Sequence, residues 1–304
     1  MKPYYSLDTY CKETYGEKLY KIALNAGFTC PNRDGRLDTR GCIFCSEGGS
    51  GDFATSLSSP SEIKEALLAG KERLAGKHTG SRYIAYFQAY TNTYGPVSYL
   101  EAIYTAALSE DFIAGISIAT RPDCLPDDVL ALLADLKNRF PNKFIWVELG
   151  LQTIHERTAT FIRRSYPLSC FKTAVEKLSQ LDIPVIVHLI LGLPGESTSD
   201  MLSSVKYLNA LPVWGIKLQL LHILKNTDLA SLYEMTMSRE DYIQTLITCI
   251  EHLRPDMVIH RVTGDAPKEL LLAPLWSSNK RDVLNTLHRT MKNQQAYQGK
   301  YYVN

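Results

Sequence analysis

Apolar segments of strand length alternate with amphipathic segments of helical length over most of the chain. The pattern predicts strands at 18–24, 83–88, 113–119, 144–150, 184–191 and 215–221. It predicts helices that begin near 59 and near 98, and others at 126–139, 155–163, 168–181, 198–209 and 239–253. The segment 184–191 is almost continuously apolar, which is typical of a strand buried on both faces. Regular alternation of this kind predicts parallel strands joined by right-handed crossovers.

Local cues mark where three of these helices begin. Ser59 is followed three residues later by Glu62, and Ser98 by Glu101, which predicts a capping box at each position. Ser238 is the predicted N-cap of the helix at 239–253. A capping residue accepts a hydrogen bond from the free N–H groups of the first turn, so each helix is expected to begin there.

Six strand–helix units fit either a doubly wound sheet or a partial (β/α)6 barrel of the TIM type, because six units are too few to close an eightfold barrel. Residues 1–17 are predicted to form an irregular or short helical lead-in. Residues 18–254 would form the α/β barrel, and 255–304 a C-terminal extension with a last strand at 256–261 and a helix near 281–292. In both topologies the reactive side chains gather at the carboxyl ends of the strands.

Polar side chains stand where the predicted strands end. Taken singly, each has an ordinary structural explanation, such as an ion pair beside a strand or a hydrogen-bonded core histidine. Their coincidence at one predicted edge favours a pocket. A turn at 192–195 would let backbone approach a flat ring closely, although a simple tight turn explains it too. The strand-end residues are Gln88, Ala89, Tyr90, Thr91, Asn92, Thr120, Glu148, Gln152, His188, Leu193, Pro194, Gln219 and His222.

Three cysteines share one loop after the first predicted strand. Eleven residues separate Cys30 from Cys42, and two separate Cys42 from Cys45. A tetrahedral zinc site needs a fourth ligand, and no histidine lies between positions 29 and 76. A [4Fe–4S] cluster held by three thiolates leaves one iron open to a cofactor or substrate. The spacing therefore favours an iron–sulfur cluster, with structural zinc and ordinary buried thiols as the alternatives.

Composition narrows the class of protein further. The chain has 304 residues, of which 45% are hydrophobic, enough for one large domain with a substantial core. Seven cysteines, an odd number, argue against a disulfide framework. The N-terminus has no apolar signal segment, and no apolar run is long enough to cross a membrane. A reducing cytoplasm is the expected location.

The basic residues are concentrated near the C-terminus. From Lys268 to Asn304 six basic residues stand against two acidic ones, a net charge of +4, which leaves −3 for the rest of a chain whose net charge is +1. A basic segment on a mildly acidic body is compatible with phosphate binding. A solvated helix face is the commoner explanation of six such charges.

The cysteine loop, with Phe44 before its last cysteine, resembles the cluster loop of radical S-adenosylmethionine (SAM) enzymes. Its spacing is longer than the short form common in that superfamily and is similar to the branch that contains the catalytic subunit of Elongator. The segments 26–35, 120–125, 148–153, 188–196 and 273–276 resemble the YtqA/YhcC group of bacterial radical SAM proteins. The resemblance spans nearly the whole chain.

The resemblance implies a partial (β/α)6 barrel, a [4Fe–4S] cluster on Cys30, Cys42 and Cys45, and SAM on the fourth iron. The glycine pair and acid that usually follow the second strand are absent, and this position reads Gln88-Ala89-Tyr90-Thr91-Asn92. Backbone carbonyls or Gln88 would therefore meet the amino group of SAM. The resemblance also implies that Glu148 or Gln152 contacts the ribose hydroxyls of SAM and that Arg163 or Arg164 pairs with its carboxylate. The turn that contains Leu193 and Pro194 would lie against the adenine. Thr120 and His188 complete the same rim.

The YtqA-like and Elongator-like resemblance also implies a substrate. It points to transfer RNA (tRNA), whose wobble uridine carries a carboxymethylaminomethyl group at C5 that is trimmed or rebuilt towards an aminomethyl form. An electron donor such as flavodoxin or ferredoxin would be a partner. An extruded base needs aromatic stacking and phosphate contacts. The candidates for these contacts are Tyr90, Tyr94, His222, Lys225, Arg261, Trp276, Lys280 and Lys300, and the segment from Lys268 onwards would clamp the anticodon arm over the barrel mouth.

Two other functions remain open from the sequence. One is a radical SAM enzyme that acts on a small metabolite. The other is a zinc-stabilised RNA-binding protein without catalysis. Iron content separates the zinc protein from the two enzymes, and copurification of tRNA bears on the choice between the enzymes.

Overall fold

The computed structural model describes residues 2–76 and 80–303. Its strands are β1 Tyr20–Asn25, β2 Thr55–Ser56, β3 Tyr83–Phe87, β4 Ile113–Thr120, β5 Phe144–Gln152, β6 Val185–Leu191, β7 Gly215–Leu220, β8 Ile223–Leu224, β9 Val258–Arg261 and β10 Leu271–Ala273. Its helices are α1 Leu7–Tyr15, α2 Ile63–Leu74, α3 Val97–Leu108, α4 Asp127–Arg139, α5 Glu156–Phe161, α6 Leu168–Gln180, α7 Thr198–Asn209, α8 Arg239–His252 and α9 Lys280–Asn293.

One parallel sheet organises the molecule. Its strand order is β2-β1-β3-β4-β5-β6-β7-β9, so the strands follow one another in chain order apart from the short edge strand β2. In a doubly wound sheet the order of the strands reverses partway along the sheet, whereas strands that follow chain order throughout are typical of a barrel. Within the described residues the terminal strands β2 and β9 are not paired with each other, and the barrel is partial. The predicted α/β partial barrel is confirmed.

The helices cover the outer face of the sheet. Their apolar stripes pack on strands that are buried along most of their length, and β4 is buried at every position. Leu133 of α4, Val175 of α6 and Leu246 of α8 belong to this one large core. Burial on both faces explains why the sequence of these strands is almost uniformly apolar.

The predicted last strand is present as β9, and it joins the main sheet. It pairs in parallel with β7, with Ile216 opposite Ile259, and a register shift precedes the pairing of Lys217 with Arg261. The sheet thus has one more parallel strand than the six that the apolar pattern predicts in the barrel, besides the short β2.

Helix α1 closes the N-terminal end of the barrel. Cys11 is buried in a cluster with Ile84 and Trp146, which lie near the starts of their strands. The Tyr10 ring meets the Trp214 ring edge to face, with 4.9 Å between centroids. Ser6 caps the helix by accepting a hydrogen bond from the Thr9 N–H group. The lead-in is therefore a seal made largely of aromatic side chains.

The segment after α9 returns to the same N-terminal end. The Gln298 amide nitrogen donates to the Met257 carbonyl at 2.8 Å, and its amide oxygen accepts from the Tyr5 N–H group at 2.8 Å. Met257 directly precedes β9, so this contact lies where the parallel strands begin. Lys300 pairs with Glu251, near the end of α8, at 3.3 Å. The expectation that this part of the tail covers the barrel mouth is wrong, because its hydrogen bonds hold it at the opposite end.

No helix in residues 2–76 and 80–303 has the length and apolar character needed to cross a membrane.

Candidate active site

A cavity of about 820 Å³ opens at the carboxyl ends of the strands and continues into the barrel. It brings together a large part of the residues that the sequence predicts at that edge. Cavities of this size accommodate a cofactor together with a second ligand. The predicted residues that line it are Cys30, Cys42, Phe44, Cys45, Gln88, Tyr90, Thr91, Thr120, Glu148, Gln152, Arg164, His188, His222 and Arg261, and Gln219 lines it as well.

Arg33 shapes the cysteine loop. Its guanidinium donates to the carbonyls of Cys45 and Ser46 at 2.9 and 2.6 Å, which ties the start of the loop to its end. Gly41, with φ of 77°, lies against the same arginine, and a Cβ there would come within 2.8 Å of the Arg33 Nε atom. The loop therefore needs both the arginine and a glycine at these positions.

Asn32 connects the loop to the barrel. It is fully buried, and its amide nitrogen donates to the Arg163 carbonyl at 2.7 Å and lies 3.6 Å from the Cys42 sulfur. The amide oxygen is buried with no hydrogen-bond partner among the described residues. An N–H donor beside a cysteine sulfur stabilises a thiolate ligand. Sequence reasoning does not single out Asn32, although its place within the loop was a usable signal.

The three cysteine thiols influence one another inside the cavity. Burial and, after it, neighbouring Cys45 raise the pKa of Cys42 to about 12 against the opposing effect of the Arg121 guanidinium. Burial also raises the pKa of Cys45, against the guanidinium of Arg33. Crowded thiolates are unfavourable unless a cation shares them. Three thiols, two arginines and one amide donor form a set that fits an anionic iron–sulfur cluster.

These thiols do not form a site for a single ion. Across the described part of the protein, no three or more His, Cys, Asp or Glu side chains are grouped closely enough to hold one metal ion. A cubane cluster places each thiolate on a different iron, so it does not require such a group.

The segment after the last cysteine packs against the end of β3. The Tyr90 N–H group donates to the Gly49 carbonyl at 2.9 Å, and the Tyr90 hydroxyl donates to the Glu47 carbonyl. A Cβ on Gly49 would come within 2.6 Å of the Tyr90 ring, and one on Gly51 within 2.9 Å of the Ala89 Cα atom. The glycines allow this close packing. It fixes the cysteine loop on the strand end that the family resemblance predicts to contact SAM.

A charged group, which we call the interior layer, lies deeper in the cavity and consists of Lys21, Tyr86, Glu148, His188 and Lys217. The Glu148 carboxylate is fully buried and ion-paired with both lysines. It also accepts from the Ser117 hydroxyl at 2.6 Å and lies 2.7 Å from the His188 Nε2 atom.

The charges of the interior layer shift its pKa values in consistent directions. Burial alone would raise the pKa of Glu148, but the ammonium groups of Lys21 and Lys217 hold it well below its usual value. Burial lowers the pKa of His188 to about 4 and that of Lys217 to about 7. Glu148 is therefore ionised and His188 neutral at physiological pH. Since protein donors already engage both of its oxygens, Glu148 is less available to a ribose than Gln152.

The two predicted arginines have protein partners. Arg164 is almost fully buried and donates to the carbonyls of Leu151, Thr153 and Tyr166 at 2.7–3.2 Å. Arg163 lies outside the cavity lining and pairs with Asp228. Arg121 lines the cavity, with its guanidinium 4.9 Å from the Tyr166 ring centroid and paired with Asp123 at 2.7 Å. Arg121 directly follows Thr120 at the end of β4, and the sequence alone predicts no role for it.

Several predicted residues lie away from the cavity within the described residues. Asn92 is buried and holds the Ala119 carbonyl at 2.8 Å. Leu193 packs with Ile43 behind the cysteine loop. Trp276 donates to the Met237 carbonyl at 3.2 Å and packs near Tyr242, which makes it a structural residue. The full set outside the lining is Ala89, Asn92, Tyr94, Arg163, Leu193, Pro194, Lys225, Trp276, Lys280 and Lys300.

The predicted basic contacts divide between the two ends of the barrel. Lys280 pairs with Asp265 at 2.8 Å, and Asp265 lines the cavity, so Lys280 lies beside its mouth. Arg261 also pairs with Asp265, at 3.4 Å. Lys300, by contrast, lies at the sealed end.

The fold and the cysteine loop define the class of protein. Residues 35–208 match the radical SAM superfamily, and residues 213–293 match the radical SAM C-terminal domain. The chain belongs to the radical SAM superfamily, whose enzymes use a [4Fe–4S] cluster and SAM.

Particular relatives are similar over nearly the full length. YtqA of Bacillus subtilis is 44% identical over 99% of this chain and 93% of its own, and YhcC of Escherichia coli K12 is 38% identical over 94% and 91%. Among solved structures, the archaeal Methanocaldococcus infernus Elp3 aligns with a TM-score of 0.67 and 14% identity over 92% of this chain. The alignment spans 65% of that longer protein, and the likeness concerns the fold alone.

Proposed function

We propose that this radical SAM enzyme acts on the wobble uridine of tRNA and converts a carboxymethylaminomethyl group at C5 into an aminomethyl group. The observation that carries the proposal is the cavity that joins the cysteine loop to a charged interior layer. Because the cavity is continuous, a base extruded at the cysteine loop could direct a charged substituent into that layer. The resemblance to the Elongator catalytic subunit, which also works on C5 of wobble uridine, supports the same substrate class.

The residues of this protein would hold the cofactors as follows. Cys30, Cys42 and Cys45 would bind the cluster, with Asn32 and Arg33 beside the sulfurs. Gln88, whose amide nitrogen donates to the Ser50 carbonyl at 2.5 Å, would meet the amino group of SAM with its amide oxygen. Gln152, with its amide oxygen near the Tyr166 hydroxyl at 3.4 Å, would meet the ribose.

When bound, the cluster and SAM supply a 5′-deoxyadenosyl radical that removes a hydrogen atom from a substrate carbon. The net reaction balances as carboxymethylaminomethyl uridine, SAM and water giving aminomethyl uridine, glyoxylate, methionine, 5′-deoxyadenosine and a proton. SAM is the two-electron oxidant of the C–N unit in the C5 substituent, and water cleaves the resulting C=N bond. The part of the protein is to orient the base, exclude bulk water and hold the substituent. A flavodoxin- or ferredoxin-like donor in a reducing cytoplasm would supply the priming electron.

The test is a reaction of the anaerobically reconstituted protein with tRNA that carries the carboxymethylaminomethyl uridine. We expect aminomethyl uridine, glyoxylate and 5′-deoxyadenosine in equal amounts, measured by mass spectrometry. The same tRNA with an unmodified wobble uridine is the matched control and should give no glyoxylate. Formation of 5′-deoxyadenosine without any change in the nucleosides would contradict the tRNA substrate and favour a small metabolite.

A further inference from the structure

The interior layer carries more positive than negative charge. Glu148 contributes the only carboxylate among the five residues of the layer, against the ammonium group of Lys21 and that of Lys217, whose pKa burial lowers to about 7 and which an anionic ligand would keep protonated. His188 is neutral at physiological pH. Inside a protein an excess charge is costly unless a ligand or counterion balances it. The layer is therefore suited to receive one anionic group.

The ammonium groups have donors left for a ligand. An ammonium has three N–H donors. Lys217 uses two of them, on Glu148 and on the Tyr86 hydroxyl at 3.0 Å. Lys21 uses one on Glu148, and its contact with Ser117 is long at 3.4 Å. The Lys21 side chain keeps 18% of its surface accessible, whereas that of Lys217 keeps 4%, so a ligand in the cavity can reach Lys21.

The layer is closed at the N-terminal end of the barrel and open to the cavity at the other end. Below it, the cluster of Cys11, Ile84 and Trp146 under α1 fills the N-terminal end of the barrel. Above it, the cavity opens past the cysteine loop. A ligand that reaches the lysines through this opening therefore passes beside the cysteine loop.

The depth of the layer argues against the carboxylate of SAM as its ligand. Lys21 precedes the end of β1 by four residues and Lys217 precedes the end of β7 by three. At about 3.3 Å per residue these positions lie roughly 10–13 Å below the ends of their strands. The cysteine loop begins only after β1 has ended. A group that chelates the cluster belongs at the strand ends, whereas the layer is placed for the far end of a substrate substituent.

We propose that the interior layer is the binding site for the carboxylate of the substrate's C5 substituent, with the ammonium groups of Lys21 and Lys217 as its donors and Glu148 as the fixed anion that positions them. This inference rests on the proposed function and adds a specificity rule to it. The carboxymethylaminomethyl form is bound, and the aminomethyl product, which lacks the acid, is released.

The experiment measures binding and does not depend on turnover. Reconstituted protein loaded with SAM, without reductant, is titrated with two nucleosides, 5-carboxymethylaminomethyluridine and 5-aminomethyluridine. We expect the wild type to bind the acid-bearing nucleoside about 10- to 100-fold more tightly, as for a charge-assisted hydrogen bond to a buried cation. Lys217→Met and Lys21→Met should each remove most of that preference. Lys206→Met, at an exposed lysine of α7 outside the cavity lining, is the matched control and should retain it.

The outcomes separate the inference from the proposed function. Equal affinity of the wild type for the two nucleosides, or a preference that persists in both variants, overturns the inference. Failure of the proposed function shows instead as absence of glyoxylate in the tRNA reaction. If Lys217→Met does not fold, a double variant that combines Lys217→Met and Glu148→Gln replaces it. The double variant removes the buried positive and negative charges together. Thermal unfolding and the visible absorbance of the cluster report folding for every variant.

Discussion

At the scale of residues, the seven cysteines divide by position. Cys30, Cys42 and Cys45 line the cavity, whereas Cys170 is half-buried on α6 outside that lining. Cys30→Ala, Cys42→Ala or Cys45→Ala should each abolish cluster binding, because a cubane with one open iron cannot lose a further thiolate. Iron and sulfide analysis of anaerobic protein should give about four irons per wild-type molecule and almost none in these variants.

Cys170→Ala is the matched control for those variants and should keep the full iron content, as should Cys11→Ala, Cys124→Ala and Cys249→Ala. Stoichiometric zinc without iron after anaerobic reconstitution would restore the zinc-stabilised alternative and remove the radical chemistry.

His260 gives the stability a pH dependence. Both of its ring nitrogens are buried without hydrogen-bond partners among the described residues, and its ring lies edge-on to Trp214 at 5.0 Å. Burial holds its pKa well below the usual 6.5. Below pH 6.5 the unfolded protein therefore gains a proton that folded His260 does not, and stability falls as the pH falls.

His260→Leu should remove that dependence. Between pH 8 and pH 5.5 the free energy of unfolding should fall by about 1.4 kcal/mol more in the wild type than in the variant. The reason is that pH 5.5 lies one unit below the pKa of histidine in the unfolded chain. For a protein of this size the difference corresponds to roughly 2 °C in the thermal midpoint. The comparison of two pH values cancels any change in packing. Parallel pH profiles for the two proteins would show that His260 does not titrate on unfolding.

At the scale of elements, the contact between the cluster loop and the end of β3 is open to test through Gly51. A Cβ there would collide with Ala89, so Gly51→Ala should push the loop away from the strand end. We expect the iron content to fall below about two per molecule, although all three cysteines remain. Gly76→Ala is the control, because no atom of residues 2–75 or 80–303 lies within 4 Å of a Cβ at that position. Full iron content in Gly51→Ala would mean that the loop tolerates displacement.

Elements with strong periodicity were predictable, and their ends were less so. The helix after 98 begins at Val97 with Pro96 as its N-cap, which has no capping hydrogen bond, so the capping box predicted from Ser98 and Glu101 is wrong. Ser238 does cap α8 by accepting from the Asp241 N–H group. A capping motif is a short local signal, and the backbone direction imposed by packing decides whether it is used.

At the scale of the whole molecule, alternation of apolar segments predicted a parallel α/β sheet, because each unit must bury one strand face and one helix stripe. The resemblance to radical SAM enzymes then selected the partial barrel over the doubly wound sheet. The same pattern could not show which polar side chains would take protein partners. Arg164 is engaged by three backbone carbonyls, and Glu148 by two lysines from other strands. Such pairings join residues that are mostly far apart in sequence, so they become visible only when the strands are placed side by side.

The position of the tail leads to the last prediction, which also rests on tRNA as the substrate. Lys280 and Lys300 are both basic, both ion-paired and both in the segment of net charge +4, but they lie at opposite ends of the barrel. Of the two, Lys280, beside the cavity mouth, is placed to contact a phosphate of an anticodon arm whose base enters the cavity.

Lys280→Gln should therefore weaken tRNA binding several-fold and lower the slope of log affinity against log salt concentration by about one, as expected for the loss of one phosphate contact. Lys300→Gln removes the same charge by the same substitution and should leave both quantities unchanged. Fluorescence titrations of labelled tRNA at several salt concentrations measure them. If the two variants lose affinity equally, net charge and not position governs binding, and an anticodon arm docked at the mouth is the wrong geometry. If neither variant loses affinity, the Lys280 ammonium stays paired with Asp265 in the complex, and the phosphate contacts lie elsewhere on the rim.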